Sequence, residues 1–221
     1  MSFAPQLHAL PAAQRTLWPN LKQVPRHFVL YGGTALVLRL GHRQSLDFDF
    51  FTSAPVEPSA LKSSLPFLAG ATVLQVAPNT LTVSVPCSDP VKLSFFGGLK
   101  LGRVGDPETT DDGVVRVASL LDVAACKMAV LPERAEAKDY LDVYALLQHG
   151  VTLPQALGAA QAVYGDTFNP MPALKALSYF RDGDLPTLPD AVRQTLRTAA
   201  ARFREITTLE RRPGGLVPAG E

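Results

Sequence analysis

The chain has 221 residues, 47% of them hydrophobic and 19% charged, with a formal net charge of +1. A chain of this size can bury a substantial core as one α/β unit plus a helical extension, and its near-neutral balance makes no electrostatic case for nucleic acid. No run approaches the roughly 18–20 uninterrupted apolar residues of a membrane span, and MSFAPQLHALPAAQR lacks a basic-then-apolar secretory pattern. Cys87 and Cys126 are too few for a disulfide framework and lack metal-ligand spacing, Cys126 reading as plain core. A cytoplasmic protein without a membrane partner is the expectation.

In chain order, residues 10–23 suggest a helix, HFVLY a short strand, TALVLRLG a helix and LDFDFF an acidic strand, followed by a helix near residues 58–68. The alternating runs ATVLQVA, TLTVSVP and VKLSFF read as antiparallel strands separated by Pro78, Asn79 and the residues 86–90. GGLKLGRVGDPETTDDG reads as a flexible loop, VVRVA returns to strand, and everything beyond Ser119 reads helical, punctuated by Pro154, Pro170, Pro172, Pro186 and Pro189. This gives an α/β (α+β) fold, a mixed sheet flanked by helices. Residues 1–118 form the core, 119–211 a helical part completing the cleft, and 212–221, within the Gly/Pro stretch RRPGGLVPAGE that begins at Arg211, a disordered tail.

Residues 29–51 carry the chemistry. Successive strand side chains alternate faces, so Asp47 and Asp49 point one way and Leu46, Phe48 and Phe50 the other. Two close carboxylates beside aromatic neighbours need cations or strong donors, and hard oxygen ligands favour Mg²⁺ or Mn²⁺; an exposed edge strand with solvated acids is the alternative. Gly32 and Gly33 fall at a strand-to-helix turn where backbone N–H groups can approach a phosphate, with Thr34 near the helix N-terminus. Between this turn and the acids, Arg43 could reach a triphosphate and Ser45 could hydrogen-bond phosphate or metal-bound water; a surface charge and a turn residue are the plainer readings.

Further on, Lys127 sits on an apolar helix whose Leu120, Leu121, Val123, Ala124, Met128 and Leu131 would face the core, so it must reach solvent or find an anion. On the next helix Leu141, Tyr144, Ala145 and Leu147 mark one buried side, while Asp139 and Asp142 are adjacent on the helix surface. Those acids can meet Lys127, fixing two helices, or line a metal cleft. Six arginines between residues 191 and 212, against two glutamates, could grip RNA phosphates or form a solvated face.

GGTAL followed by GHRQSLDFDFF, together with SLLDVAACKMAVLPERAEAKDYLDVYALL, resembles the paired signature blocks of the AbiEii/AbiGii toxin family of nucleotidyltransferases, within the DNA polymerase β-like superfamily. The resemblance spans residues 28–147. It implies a Mg²⁺- or Mn²⁺-dependent enzyme with NTP as substrate and tRNA as acceptor, and a cognate antitoxin protein as partner. It further implies that Asp47 and Asp49 bind metal, that Gly32, Gly33, Thr34, Arg43, Ser45 and Lys127 hold the nucleotide, and that Asp139 belongs to the active site.

One departure concerns mechanism. Superfamily members commonly carry a third carboxylate on a later strand, and Ser94 stands at that position here. A serine cannot act as the base without another group to activate it; Asp89 or Asp139 could substitute, or the acceptor could need no dedicated base. A catalytically degenerate nucleotide- or partner-binding module, and a transferase acting on a small-molecule or protein hydroxyl, are the alternatives.

Overall fold

The computed structural model describes residues 2–218; the last three residues of the expected disordered tail lie outside them. Contacts divide the chain into two units. Unit 1 comprises Met1–Leu101, Asp106–Ala118 and Pro213–Glu221, and unit 2 comprises Gly102–Gly105 and Ser119–Arg212.

Unit 1 is built on one eight-stranded mixed sheet. In chain order its elements are β1 (Ser2–Phe3), α1 (Ala12–Leu17), β2 (Val29–Tyr31), α2 (Gly32–Leu40), β3 (Asp47–Phe51), α3 (Pro58–Ser64), β4 (Thr72–Ala77), β5 (Thr80–Val85), β6 (Val91–Phe96), β7 (Glu108–Thr110) and β8 (Arg116–Val117). The strand order is β1-β7-β8-β2-β3-β6-β5-β4. The last three strands are antiparallel neighbours, as the alternating runs require. β3 pairs antiparallel with β2 on one side and parallel with β6 on the other, so the acidic strand lies inside the sheet rather than at its edge.

Two expected helices are shorter than their apolar patterns. α1 stops at Leu17 because Pro19 supplies no N–H to continue the ladder, and Trp18–Gln23 tightens into a 3-10 turn. Pro66 likewise disfavours helical backbone at Leu65, which is extended with φ −112°, so α3 ends there and Pro66–Leu68 forms a separate 3-10 turn. Beneath the sheet, Phe48, Phe50, Leu93 and Phe95 are buried. Phe50 stacks on Phe95 at 5.3 Å, Phe28 meets Phe95 edge-on at 5.4 Å, and Trp18 reaches Phe48 at 6.3 Å. Leu46 departs from the expected alternation: it precedes β3 and is 67% exposed. The described end of the chain also departs from a disordered tail. Leu216 is buried, and its N–H donates to Ser53 Oγ at 3.2 Å, two residues beyond β3.

Unit 2 contains α4 (Leu120–Val130), α5 (Ala137–Gln148), α6 (Leu153–Tyr164), α7 (Pro170–Ala176) and α8 (Asp190–Arg202). Ser119 caps α4 by accepting from the Asp122 N–H, and a capping box of Thr152 and Gln155 starts α6. Ala124, Ala125, Gly158, Ala159 and Ala160 supply the small buried surfaces that bring α4 and α6 together. A Cβ at Gly158 would stand 1.8 Å from the Thr207 carbonyl oxygen, so the segment after α8 crosses α6 where only glycine leaves room. The loop read as flexible is anchored within this unit: the Asp122 carboxylate accepts the Val104 and Gly105 N–H groups at 2.7 and 3.1 Å and the Ser119 hydroxyl at 2.6 Å. Burial drives the Asp122 carboxyl above its usual value against these donors and Arg103.

Candidate active site

The candidate site of unit 1 begins at the β2–α2 junction. Gly32 has φ +71°, a left-handed conformation that side-chain-bearing residues adopt at a cost, and a Cβ there would lie 2.8 Å from Asp49 Oδ2. Glycine therefore both makes the turn and lets the carboxylate approach the first residue of α2. At Gly33 a Cβ would lie 2.5 Å from Arg43 Nη2 and 3.0 Å from Ser45 Oγ. The glycine pair, Arg43, Ser45 and Asp49 thus converge on the N-terminus of a nine-residue helix, whose backbone N–H groups and dipole favour an anion.

Asp47 and Asp49 share a half-exposed face of β3, opposite buried Phe48 and Phe50. Register places Tyr31 of β2 and Ser94 of β6 directly beside Asp49, and Lys92 beside Asp47. Lys92 Nζ lies 3.6 Å from Asp47 Oδ2, with both side chains substantially exposed. Tyr31 stacks on Phe51 at 4.8 Å, giving this face an aromatic wall. Ser94 is buried with Thr82 beside it on β5, so the position flanking Asp49 holds hydroxyls where a third carboxylate was expected. Asp89 is exposed in the β5–β6 turn, three positions before Lys92, and is no neighbour of Asp49 in the sheet.

Thr34, placed by resemblance among the nucleotide-binding residues, is 1% exposed and donates its hydroxyl to the Asp47 carbonyl. Its contact is with the protein, where it ties α2 to the start of the acidic strand. Among the described residues no group of three or more His, Cys, Asp or Glu side chains is arranged to hold a metal ion. Two carboxylates on one face beside a helix N-terminus nevertheless fit a divalent cation completed by phosphate and water oxygens, the usual manner of binding Mg²⁺.

Lys127 and Asp139 belong to unit 2. Lys127 Nζ lies 2.8 Å from Asp139 Oδ1 and 2.6 Å from Asp142 Oδ2, with both acidic side chains fully buried and the lysine 6% exposed. Arg134 reaches the same Asp139 carboxylate through Nε at 2.8 Å and Nη2 at 3.2 Å. Burial raises the Asp139 carboxyl, but Arg134 and Lys127 outweigh it and hold it below the ordinary value. The helix face expected to be apolar is therefore a mixed one. Asp139, Tyr140, Asp142, Val143 and Leu146 are buried on α5, with Ala145 buried as expected, whereas Leu141, Tyr144 and Leu147 are partly exposed.

Sequence reasoning missed Lys92 and Arg134. Lys92 was within reach, since it lies two positions before Ser94 and must share its face. Arg134 precedes α5 in a turn with no periodicity to mark it.

A helix N-terminus able to receive a phosphate thus stands beside paired strand carboxylates on a mixed sheet, an arrangement with the donors and acids to hold a nucleotide and a divalent cation. The comparisons agree. The family model described as "Nucleotidyl transferase AbiEii toxin, Type IV TA system" matches residues 20–211, and the chain belongs to that nucleotidyltransferase family. It is 31% identical over 158 residues to an uncharacterised protein of Aquifex aeolicus (strain VF5), covering 70% of this chain and 74% of that one. MenT4, a nucleotidyltransferase toxin of Mycobacterium tuberculosis H37Rv, shares the fold with a TM-score of 0.61 at 16% identity, over 87% of this chain and 82% of its own. A crystal structure from H. pylori, assigned as a nucleotidyltransferase, gives a TM-score of 0.56 at 18% identity, over 86% and 90% of the two chains.

Family membership makes the chain a nucleotidyltransferase of a toxin–antitoxin family, with an NTP substrate and an antitoxin partner implied. No helix among the described residues is long and apolar enough to cross a membrane.

Proposed function

We propose that this protein is a divalent-metal-dependent nucleotidyltransferase that acts as a toxin by moving a nucleotidyl group from NTP to tRNA. The observation that carries this reading is the approach of Asp49 Oδ2 to Gly32 at the N-terminus of α2, which joins a metal-type carboxylate to a phosphate-type backbone. Asp47 and Asp49 would hold Mg²⁺ or Mn²⁺, and the cation would neutralise phosphate charge and stabilise the displaced pyrophosphate. Gly32 and Gly33 leave the α2 N–H groups open to the triphosphate, Arg43 and Ser45 offer donors beside them, and Thr34 fixes the helix to β3. Lys92 stands at the rim, where its charge would draw in the nucleotide.

Lys127 and Asp139 are assigned here to fixing α4 against α5, because two buried carboxylates already occupy the ammonium group. The alternative, in which Lys127 meets nucleotide phosphates and Asp139 serves as the base, predicts a different outcome for Lys127→Met. Ser94 beside Asp49 favours a second reading of the whole chain, a nucleotide-binding module that has lost the catalytic base.

Incubation with Mg²⁺, total tRNA and each α-labelled NTP separates the two. Label should enter tRNA with one or more NTPs and disappear with Asp49→Asn. A protein that binds NTP but labels no RNA under Mg²⁺ or Mn²⁺ supports the binding module, and label in a small molecule or in protein instead moves the acceptor assignment.

A further inference from the structure

We infer that Ser94 and Thr82 form the acceptor side of the acid-bearing face, a subsite that holds the two hydroxyls of a terminal ribose, so that an RNA end with its 2′,3′-diol is preferred to a deoxy end. The inference rests on the transferase reading above and adds to it the group by which the acceptor is chosen. Asp49 pairs with Ser94 and Ser94 with Thr82, so β3, β6 and β5 contribute one residue each to a single row on one face of the sheet. Leu81, Val83, Leu93 and Phe95, which flank that row along the strands, are buried on the opposite face.

The two hydroxyls stand out by their lack of partners. Ser94 is 2% exposed and Thr82 5%, a depth at which a hydroxyl is ordinarily hydrogen-bonded. Among the described residues neither hydroxyl takes part in a hydrogen bond. Neither oxygen is one of the fully enclosed polar atoms that lack a partner, so both keep contact with solvent. Their position assigns them a side of the reaction. Gly32 and the N-terminus of α2 approach Asp49 from the β2 side, whereas Ser94 and Thr82 lie on β6 and β5, beyond its other side. In-line displacement sets the attacking and leaving oxygens on opposite sides of the phosphorus. With pyrophosphate departing at α2, the attacking end belongs beside Ser94. Facing residues of antiparallel neighbours hold their Cβ atoms about 5 Å apart, and each hydroxyl both donates and accepts, so Ser94 can take one oxygen of a vicinal diol and Thr82 the other. The pair is uncharged, which suits a sugar rather than a phosphate.

Fluorescence anisotropy of a 5′-labelled RNA oligonucleotide with an intact terminal ribose, and of its 2′-deoxy-ended and 3′-deoxy-ended counterparts, tests the subsite on the full chain. Wild type should bind the diol end roughly five- to tenfold more tightly than either deoxy end. Thr82→Val, which keeps the shape and loses the hydroxyl, and Ser94→Ala should each abolish the preference over one of the two deoxy ends, with melting temperature and NTP affinity unchanged. Ser84→Ala, on the same face but opposite Lys92, should keep both preferences. A wild type that binds the three ends equally, or binds none, overturns the inference, as do Thr82→Val and Ser94→Ala proteins that both keep both preferences. The transferase reading fails separately. A diol preference without any transfer of label leaves the subsite standing and removes the transfer, whereas label entering ribose-ended and 2′-deoxy-ended RNA alike keeps the transfer and overturns the subsite.

Discussion

Replacing Lys127 by methionine distinguishes a structural from a nucleotide-contacting lysine. Its ammonium lies 2.8 and 2.6 Å from the two carboxylates, and the three side chains are 6%, 0% and 0% exposed. At an effective dielectric near 20 each pair is worth about 6 kcal/mol of Coulomb energy before desolvation is subtracted. Methionine keeps most of the apolar stem, so the principal loss is charge compensation for Asp142, while Asp139 keeps Arg134. Breaking such a buried pair costs about 3–5 kcal/mol. For a protein of this length that lowers the melting temperature by roughly 6–20 °C. Scanning calorimetry measures the fall, and fluorescence titration with a labelled NTP measures binding on the cold, folded variant. The sign of the pH dependence is a second check. Because the folded Asp139 carboxyl is held below its ordinary value, its contribution to stability is complete above the unfolded carboxylate pKa of about 3.9 and is lost as pH falls through the folded value. A Lys127→Met protein that melts within a degree or two of wild type while losing NTP affinity at least tenfold would refute this reasoning and return the lysine to the nucleotide.

Other substitutions probe separate parts of the account. Gly32→Ala forces a Cβ toward Asp49 Oδ2 at a left-handed backbone position; it should cost about 1–2 kcal/mol in urea unfolding and weaken Mg²⁺-dependent NTP binding more than Gly41→Ala, which is left-handed but removed from the acids. Leu216→Ala should cost about 2–4 kcal/mol and speed hydrogen exchange at residues 213–218, whereas an unchanged exchange pattern would show that the buried side chain does not hold that segment. Burial pushes the Cys126 thiol up to about 11, with Tyr164 Oη 3.4 Å from its sulfur, so at pH 7.5 iodoacetamide should modify this partly exposed residue far more slowly than a free thiol; alkylation at the free-thiol rate would contradict the raised thiol.

The sequence made unit 1 legible where local chemistry sets the structure. The glycine pair, the alternation of Asp47, Phe48, Asp49 and Phe50, and the three antiparallel runs become the elements their patterns require, with Leu46 the exception. The placement of Ser94 beside Asp49 was also anticipated, although the parallel β3–β6 pairing that produces it is a non-local fact that alternation cannot supply. Helix ends were less legible because Pro19 and Pro66 interrupted otherwise acceptable apolar periods. The buried side of α5 was misassigned for a different reason. Hydrophobic periodicity counts aspartates as surface, but here Asp139 and Asp142 are buried because Lys127 from α4 neutralises them. The apparent exposure of Arg43 and Ser45 could not be weighed from sequence either, since their convergence over Gly33 depends on how the loop after α2 folds back.

If the face carrying Asp47 and Asp49 performs nucleotidyl transfer, every turnover releases pyrophosphate. Pyrophosphate release should therefore be followed for wild type and Asp49→Asn side by side, with NTP, Mg²⁺ and total RNA, after both proteins are shown to have the same circular dichroism. Release by wild type that depends on RNA and falls at least about a hundredfold in Asp49→Asn is the predicted result; equal release by the two proteins, or none from a wild type that demonstrably binds NTP, would contradict it.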